Sequence, residues 1–101
     1  MAKTRQSLQT YLKTLVPNVY FQPPDNKKLQ FDCIVYNRIR IDNTFANNEV
    51  YRLDHAYQLT YIHRNPDDPL IDTLAKIPTC RFQREFNKDG LYHDVYIIYW
   101  N

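Results

Sequence analysis

A chain of 101 residues is long enough for one hydrophobic core and too short for two. At 44% hydrophobic and 24% charged residues it has the composition of a folded globular domain, not of a disordered tail. A net charge of +2, with acids interleaved among the bases, does not imply a nucleic-acid partner, and no apolar run approaches the roughly 20 residues of a membrane span.

The N-terminus lacks the apolar core of a signal peptide, so a cytosolic origin is expected. Nine tyrosines and a single glycine suit half-buried strands, where a ring packs and its hydroxyl stays near water.

Residues 1–16 have helical spacing. Leu8, Tyr11, Leu12, Leu15 and Val16 fall on one face, with Thr4 or Ser7 placed to cap and Pro17 to terminate. Residues 18–21 are a short apolar piece expected at a sheet edge, since Pro23-Pro24 stops pairing. A polar loop, 23–30, leads to a second strand over 31–41. Residues 42–48 (Asp-Asn-Thr-Phe-Ala-Asn-Asn) read as a projecting hairpin loop, because Asx residues tolerate left-handed backbone. Phe45 is the bulky exception in it, and is either folded back on its own hairpin or an anchor for a partner's pocket.

Residues 49–64 alternate with period two. Tyr51, Leu53, His55, Tyr57, Leu59, Tyr61 and His63 share one side, and a slip of one residue would turn that set out to water. This is the expected central strand. Asp68 as N-cap and Pro69 at the first helical position then open a short helix with Leu70, Ile71, Leu74 and Ile77 inward, closed by Pro78. A strand over 79–86, the turn 87–90 ending Asp-Gly, and a strand over 91–100 complete the chain. The last strand is apolar on both faces and is expected to be covered on both. The reading is a single α+β domain over 1–101, an antiparallel sheet in the order α-β-β-β-α-β-β.

Little catalytic chemistry is visible. His55 and His63 share a strand face but stand roughly 27 Å apart at the rise of a strand, too far to chelate one ion. A strand histidine with a hydrogen-bond partner is the plainer reading. Asp67, Asp68 and Asp72 are explained by the positive end of a helix. One glycine cannot make a phosphate-cradling loop, and the only serine, Ser7, lacks a nucleophile-elbow context. The chain is therefore read as no enzyme, with no metal and no cofactor. Cys33 and Cys80 have no CxxC spacing and read as small buried hydrophobes, a disulfide requiring that their strands be neighbours. Arginines on tyrosine-bearing strands admit stacking on single-stranded nucleic acid, but also cross-strand pairing with Glu49, Asp54, Glu85 and Asp94.

Four stretches, VYFQPP, CIVYNRIRIDNTFANN, YQLTYIHRNPDDPLIDTLAKIPTCRF and DGLYHDVYIIYW, together resemble a family of small proteins from tailed bacteriophages of Gram-positive hosts. These are the tail terminator, tail completion or head–tail joining proteins, and the resemblance runs from Val19 onward. It implies two helices on an antiparallel sheet, a homo-hexameric ring, the tail tube protein and head connector or stopper proteins as partners, and no catalytic residues. It also implies a place in the virion at the tail–neck junction, after synthesis in the bacterial host cytoplasm, with no membrane and no specific nucleic-acid recognition. In that frame the expected subunit or tube contacts are Arg38, Arg40, Asp42, Thr44, Phe45, Asn47, Asn48 and Tyr51. The alternatives are another neck component, an adaptor or stopper, and a small module binding peptide or nucleic acid.

Overall fold

The structure, a computed structural model, describes residues 4–100, the side chains of 50–52 excepted. In chain order it runs α1 (Arg5–Lys13), β1 (Val19–Phe21), β2 (Cys33–Ala46), β3 (Glu49–His63), α2 (Leu70–Ala75), β4 (Cys80–Lys88) and β5 (Leu91–Tyr99). The five strands form one open sheet in the order β1-β2-β3-β5-β4, with β3 at its centre. The α+β class and the element order agree with the sequence. No helix among the described residues is long and apolar enough to cross a membrane.

One face of the sheet carries the core. Leu59 lies opposite Tyr36 on β2 and Tyr96 on β5, and Ile34, Tyr57, Tyr61 and Ile98 surround them. Leu8, Leu12 and Val16 close over this face from α1 and the turn after it, and Leu74 and Ile77 from α2 and its end. Thr4 caps α1, its hydroxyl accepting from the Ser7 amide at 3.1 Å. At α2 the cap position is Pro69, one residue later than expected, yet the Asp68 carboxylate still accepts from the Leu70 amide at 2.9 Å. The Asx residue serves the same orphan donors from just outside the helix.

The core tyrosines each send a hydroxyl to a polar group at the margin of the core. Tyr36 donates to Gln9 and accepts from Arg5; Tyr61 donates to Asp68 at 2.8 Å; Tyr96 donates to the Ile71 carbonyl at 2.9 Å. A buried ring with a satisfied hydroxyl keeps its packing without a desolvation cost. Burial raises the pKa of all three phenols above the ordinary 10, and pushes the Cys33 and Cys80 thiols up to about 11. An acid with a raised folded pKa stabilises the fold fully below its unfolded value, and that contribution is lost as pH rises through the folded value. The urea midpoint should therefore hold steady to about pH 9 and fall steeply above pH 10, with phenolate absorbance appearing in the same transition. Phenolate appearing at ordinary pH in a still-folded protein would contradict this burial.

Four expectations need correction. β1 pairs parallel to β2 (Val19 with Ile34), so the sheet is mostly, not wholly, antiparallel. The long connection 22–32 carries the chain back to the same end before β2 begins, which permits a parallel pair. The helices cover one face only. On the other, Cys33, Ala56, Ile62 and Val95 are buried, but Ile97 and Tyr99 are half-exposed, so β5 is not covered on both sides. Asp94 pairs with His63 and not with an arginine. Finally, 42–48 is not a loop: β2 continues to Ala46 and only Asn47 and Asn48 turn the chain. The cysteines are free, one on β2 and one on β4, strands that are not neighbours.

Candidate functional site

The feature that stands outside the core is the far half of β2 and β3. β1 accompanies β2 only as far as Tyr36, and β5 accompanies β3 only from Ala56 onward. From Ile39 to Ala46 and from Glu49 to His55, the two strands pair only with each other, apart from the Trp100 amide on the His55 carbonyl. At ~3.3 Å per residue they form an arm of about 25 Å. The molecule measures 52 × 29 × 23 Å with a radius of gyration of 14.8 Å, where a compact chain of this length has about 13 Å. Asn47 and Asn48, at φ 54° and 64°, make the tight turn at its tip, the two left-handed positions a hairpin of this kind demands.

Register shifts separate the arm from the sheet and kink it near its tip, between Arg38 and Arg40 and between Thr44 and Phe45. Directly opposed residues share a face. Ile41 faces His55 and Asn43 faces Leu53, so one side of the arm alternates apolar Ile41 and Leu53 with polar His55 and Asn43; Arg40 faces Ala56 and Asp42 faces Asp54, so the other is mostly charged. Ile39, Ile41, Leu53 and Phe45 are all exposed, Phe45 at 61%. Its ring is thus not folded back on the hairpin. A two-stranded ribbon is marginal in water by itself, and this one leaves Ile39, Ile41, Phe45 and Leu53 exposed among the described residues.

The structure redistributes the expected contact residues. Arg38 belongs to the shoulder: it donates to the Tyr57 hydroxyl at 3.3 Å, lies over that ring, and its amide bonds Gln22. Arg40 and Asp42 are a pair, 3.1 Å apart, with the Arg40 guanidinium 5.3 Å from the Tyr99 ring centre. Thr44, Phe45, Asn47 and Asn48 are exposed along the arm and its tip. The Tyr51 side chain lies outside the described residues.

At the base of the arm is a groove of about 560 Å³, walled by Arg40, Asp54, Thr79, Arg81, Ile97 and Tyr99. Thr79 holds a left-handed backbone (φ 66°), donates its hydroxyl to the Tyr99 carbonyl and accepts the Tyr99 amide on its own carbonyl. The groove therefore has a braced wall and two guanidiniums. Cys80 also lines it, but its raised pKa keeps the thiol protonated and unreactive at neutral pH.

At the other end of the sheet lies a cluster that sequence spacing did not reveal. His63 and Asp94, both 0% exposed, meet at 2.5 Å through Nε2, and the His63 Nδ1–H donates to the Asn65 carbonyl at 2.8 Å. Tyr61 and Tyr92 stack on either side of the imidazole. A carbonyl only accepts, so Nδ1 carries a proton. Glu85 stands directly across from Asp94 on the neighbouring strand, and the proximity of that carboxyl raises its pKa. No substrate can reach an imidazole so enclosed; the pair clamps the turn before α2 onto β5. Among the described residues there is no group of three or more metal-ligating side chains.

The exposed rings Phe82 and Phe86 on β4 were also not singled out by sequence reasoning. Their alternation was visible, but nothing in it told an edge strand from an inner one. Comparison with protein-family models, with curated proteins and with solved structures finds no match for this chain.

Proposed function

We propose that this protein is a structural component of a phage virion that closes the tail tube as a ring, ends tube growth and forms the joint to the head connector. The observation that carries this reading is the arm, on which Ile39, Ile41, Phe45 and Leu53 are exposed and could meet a partner's surface. The resemblance of four stretches covering most of 19–100 to tail terminator and head–tail joining proteins supports it. A ring subunit needs an element that reaches its neighbour and has no need of a reactive centre; the arm is such an element.

Phe45→Ala tests the reading. The ring is exposed, so folding stability should stay within about 0.5 kcal/mol of the parent. Ring formation and attachment to tail tubes should both be lost or strongly weakened, as for a central aromatic anchor. Unchanged assembly and attachment in sedimentation with purified tubes would remove the arm from this role.

A further inference from the structure

We infer that Glu85 and Asp94 form a proton-operated catch on the edge strand. A protonated Glu85 donates its hydroxyl to the buried Oδ1 of Asp94 and holds β4 to β5. Ionised, Glu85 repels that carboxyl, its proton goes to water, and the strand loosens. The catch stands apart from the proposed assembly and does not depend on it.

The geometry supplies an acceptor without a donor. Asp94 is fully buried; its Oδ2 meets His63 Nε2, and its Oδ1 has no hydrogen-bond partner among the described residues. A buried oxygen left unpaired is costly, more so on a charged group. Glu85 stands directly opposite Asp94 in the antiparallel ladder, so the two side chains share a face of the sheet. Residues opposed in this way have Cβ atoms about 4.5–5.5 Å apart, which lets one carboxyl reach the other. A carboxyl group donates only while it carries its proton. β4 is an edge strand and Glu85 is exposed, so water can deliver and remove that proton.

The surroundings set the sign. Arg84 and Lys88, the nearest cations on β4, lie opposite Val95 and Leu91 and therefore on the other face. Asn87, opposite Tyr92, shares the face of Glu85 and is uncharged. On β5 the diagonal neighbours are the phenols Tyr92 and Tyr96, while His93 stacks on Phe86 across the sheet. The element packed over this side, α2, carries Asp72, with Lys76 at its end and Asp68 before it, the last accepting from Tyr61. Asp94 holds the Glu85 pKa above the ordinary 4.5, partial burial adds to this, and His63 opposes it. A raised folded pKa gives a contribution present below the ordinary value and lost as pH rises through the folded one. Above it, two like charges stand opposed across the ladder.

Two measurements test this, on the parent and on Glu85→Gln and Glu85→Ala. Glu85 lies outside the core, so both variants should fold, which circular dichroism checks. Carbon-detected NMR first follows the Glu85 carboxyl of the parent through a pH titration, and its midpoint should lie above 4.5. Hydrogen exchange, corrected for the intrinsic rate, then follows the ladder-protected amides of 84–88 and 91–95. In the parent their protection should fall at least ~10-fold as pH rises through the Glu85 titration. Glu85→Gln, whose carboxamide donates at every pH, should stay protected throughout. Glu85→Ala, with no donor, should be weakly protected throughout. A Glu85 midpoint at or below 4.5 would overturn the catch. So would a parent whose protection ignores the titration, or a glutamine variant that keeps the parent's pH profile.

Discussion

Replacing His63 by alanine is expected to destabilise the domain by about 3–5 kcal/mol, a large share of the total stability of a chain this size. The cause is not the lost ring alone. Asp94 is fully buried and would keep its carboxylate without the Nε2–H partner, and the Asn65 carbonyl would lose its donor. Two stacked aromatic neighbours, Tyr61 and Tyr92, would face the void. Asp94→Ala should cost a comparable amount, because it strands the imidazole instead. A variant carrying both His63→Leu and Asp94→Leu should be more stable than either alanine variant, since no buried charge remains. Urea denaturation of the four proteins measures this. A loss under about 1 kcal/mol for either single variant would contradict a buried, mutually dependent pair.

The second large effect is at Tyr96. It is fully buried opposite Leu59, packs edge-on against Phe82 with ring centres 5.4 Å apart, and donates to the Ile71 carbonyl. Tyr96→Ala removes the largest ring between the sheet and α2 and should cost about 3–5 kcal/mol. Tyr96→Phe keeps the packing and removes only the hydrogen bond, leaving the Ile71 carbonyl without its donor, and should cost about 1–2 kcal/mol. If the two variants unfold at the same urea concentration, the ring contributes no packing and the core described above is wrong. Because Phe45 lies outside that core, Phe45→Ala serves as the reference whose stability does not move.

Most of the sheet was legible because its signal is local. The period of two over 49–64 marked β3 as central; of the side it named, Tyr57, Leu59, Tyr61 and His63 are buried, whereas His55 is half-buried and Leu53 is exposed on the arm. Prolines at 17, 23 and 78 bounded α1, β1 and α2 with errors of a few residues. The arm was not legible for a physical reason. Asp42, Asn43, Asn47 and Asn48 have low strand propensity and high turn propensity, so their composition reads as loop. What holds 42–46 extended is pairing with 49–54, a contact that no window along β2 alone contains. The parallel β1 pair and the His63–Asp94 contact, 31 residues apart, were hidden in the same way. Of the expected contact residues, Phe45 and the Asn47-Asn48 tip are exposed at the far end of the arm. Arg38 lies at the shoulder, where its guanidinium donates to the hydroxyl of Tyr57, nineteen positions on.

The proposed assembly on a tail tube is measured most directly by mass. Light scattering and negative-stain imaging of the purified protein, alone and with tail tubes, should give a closed ring or a cap at one tube end. A protein that remains monomeric at all concentrations and leaves both tube ends bare would contradict it.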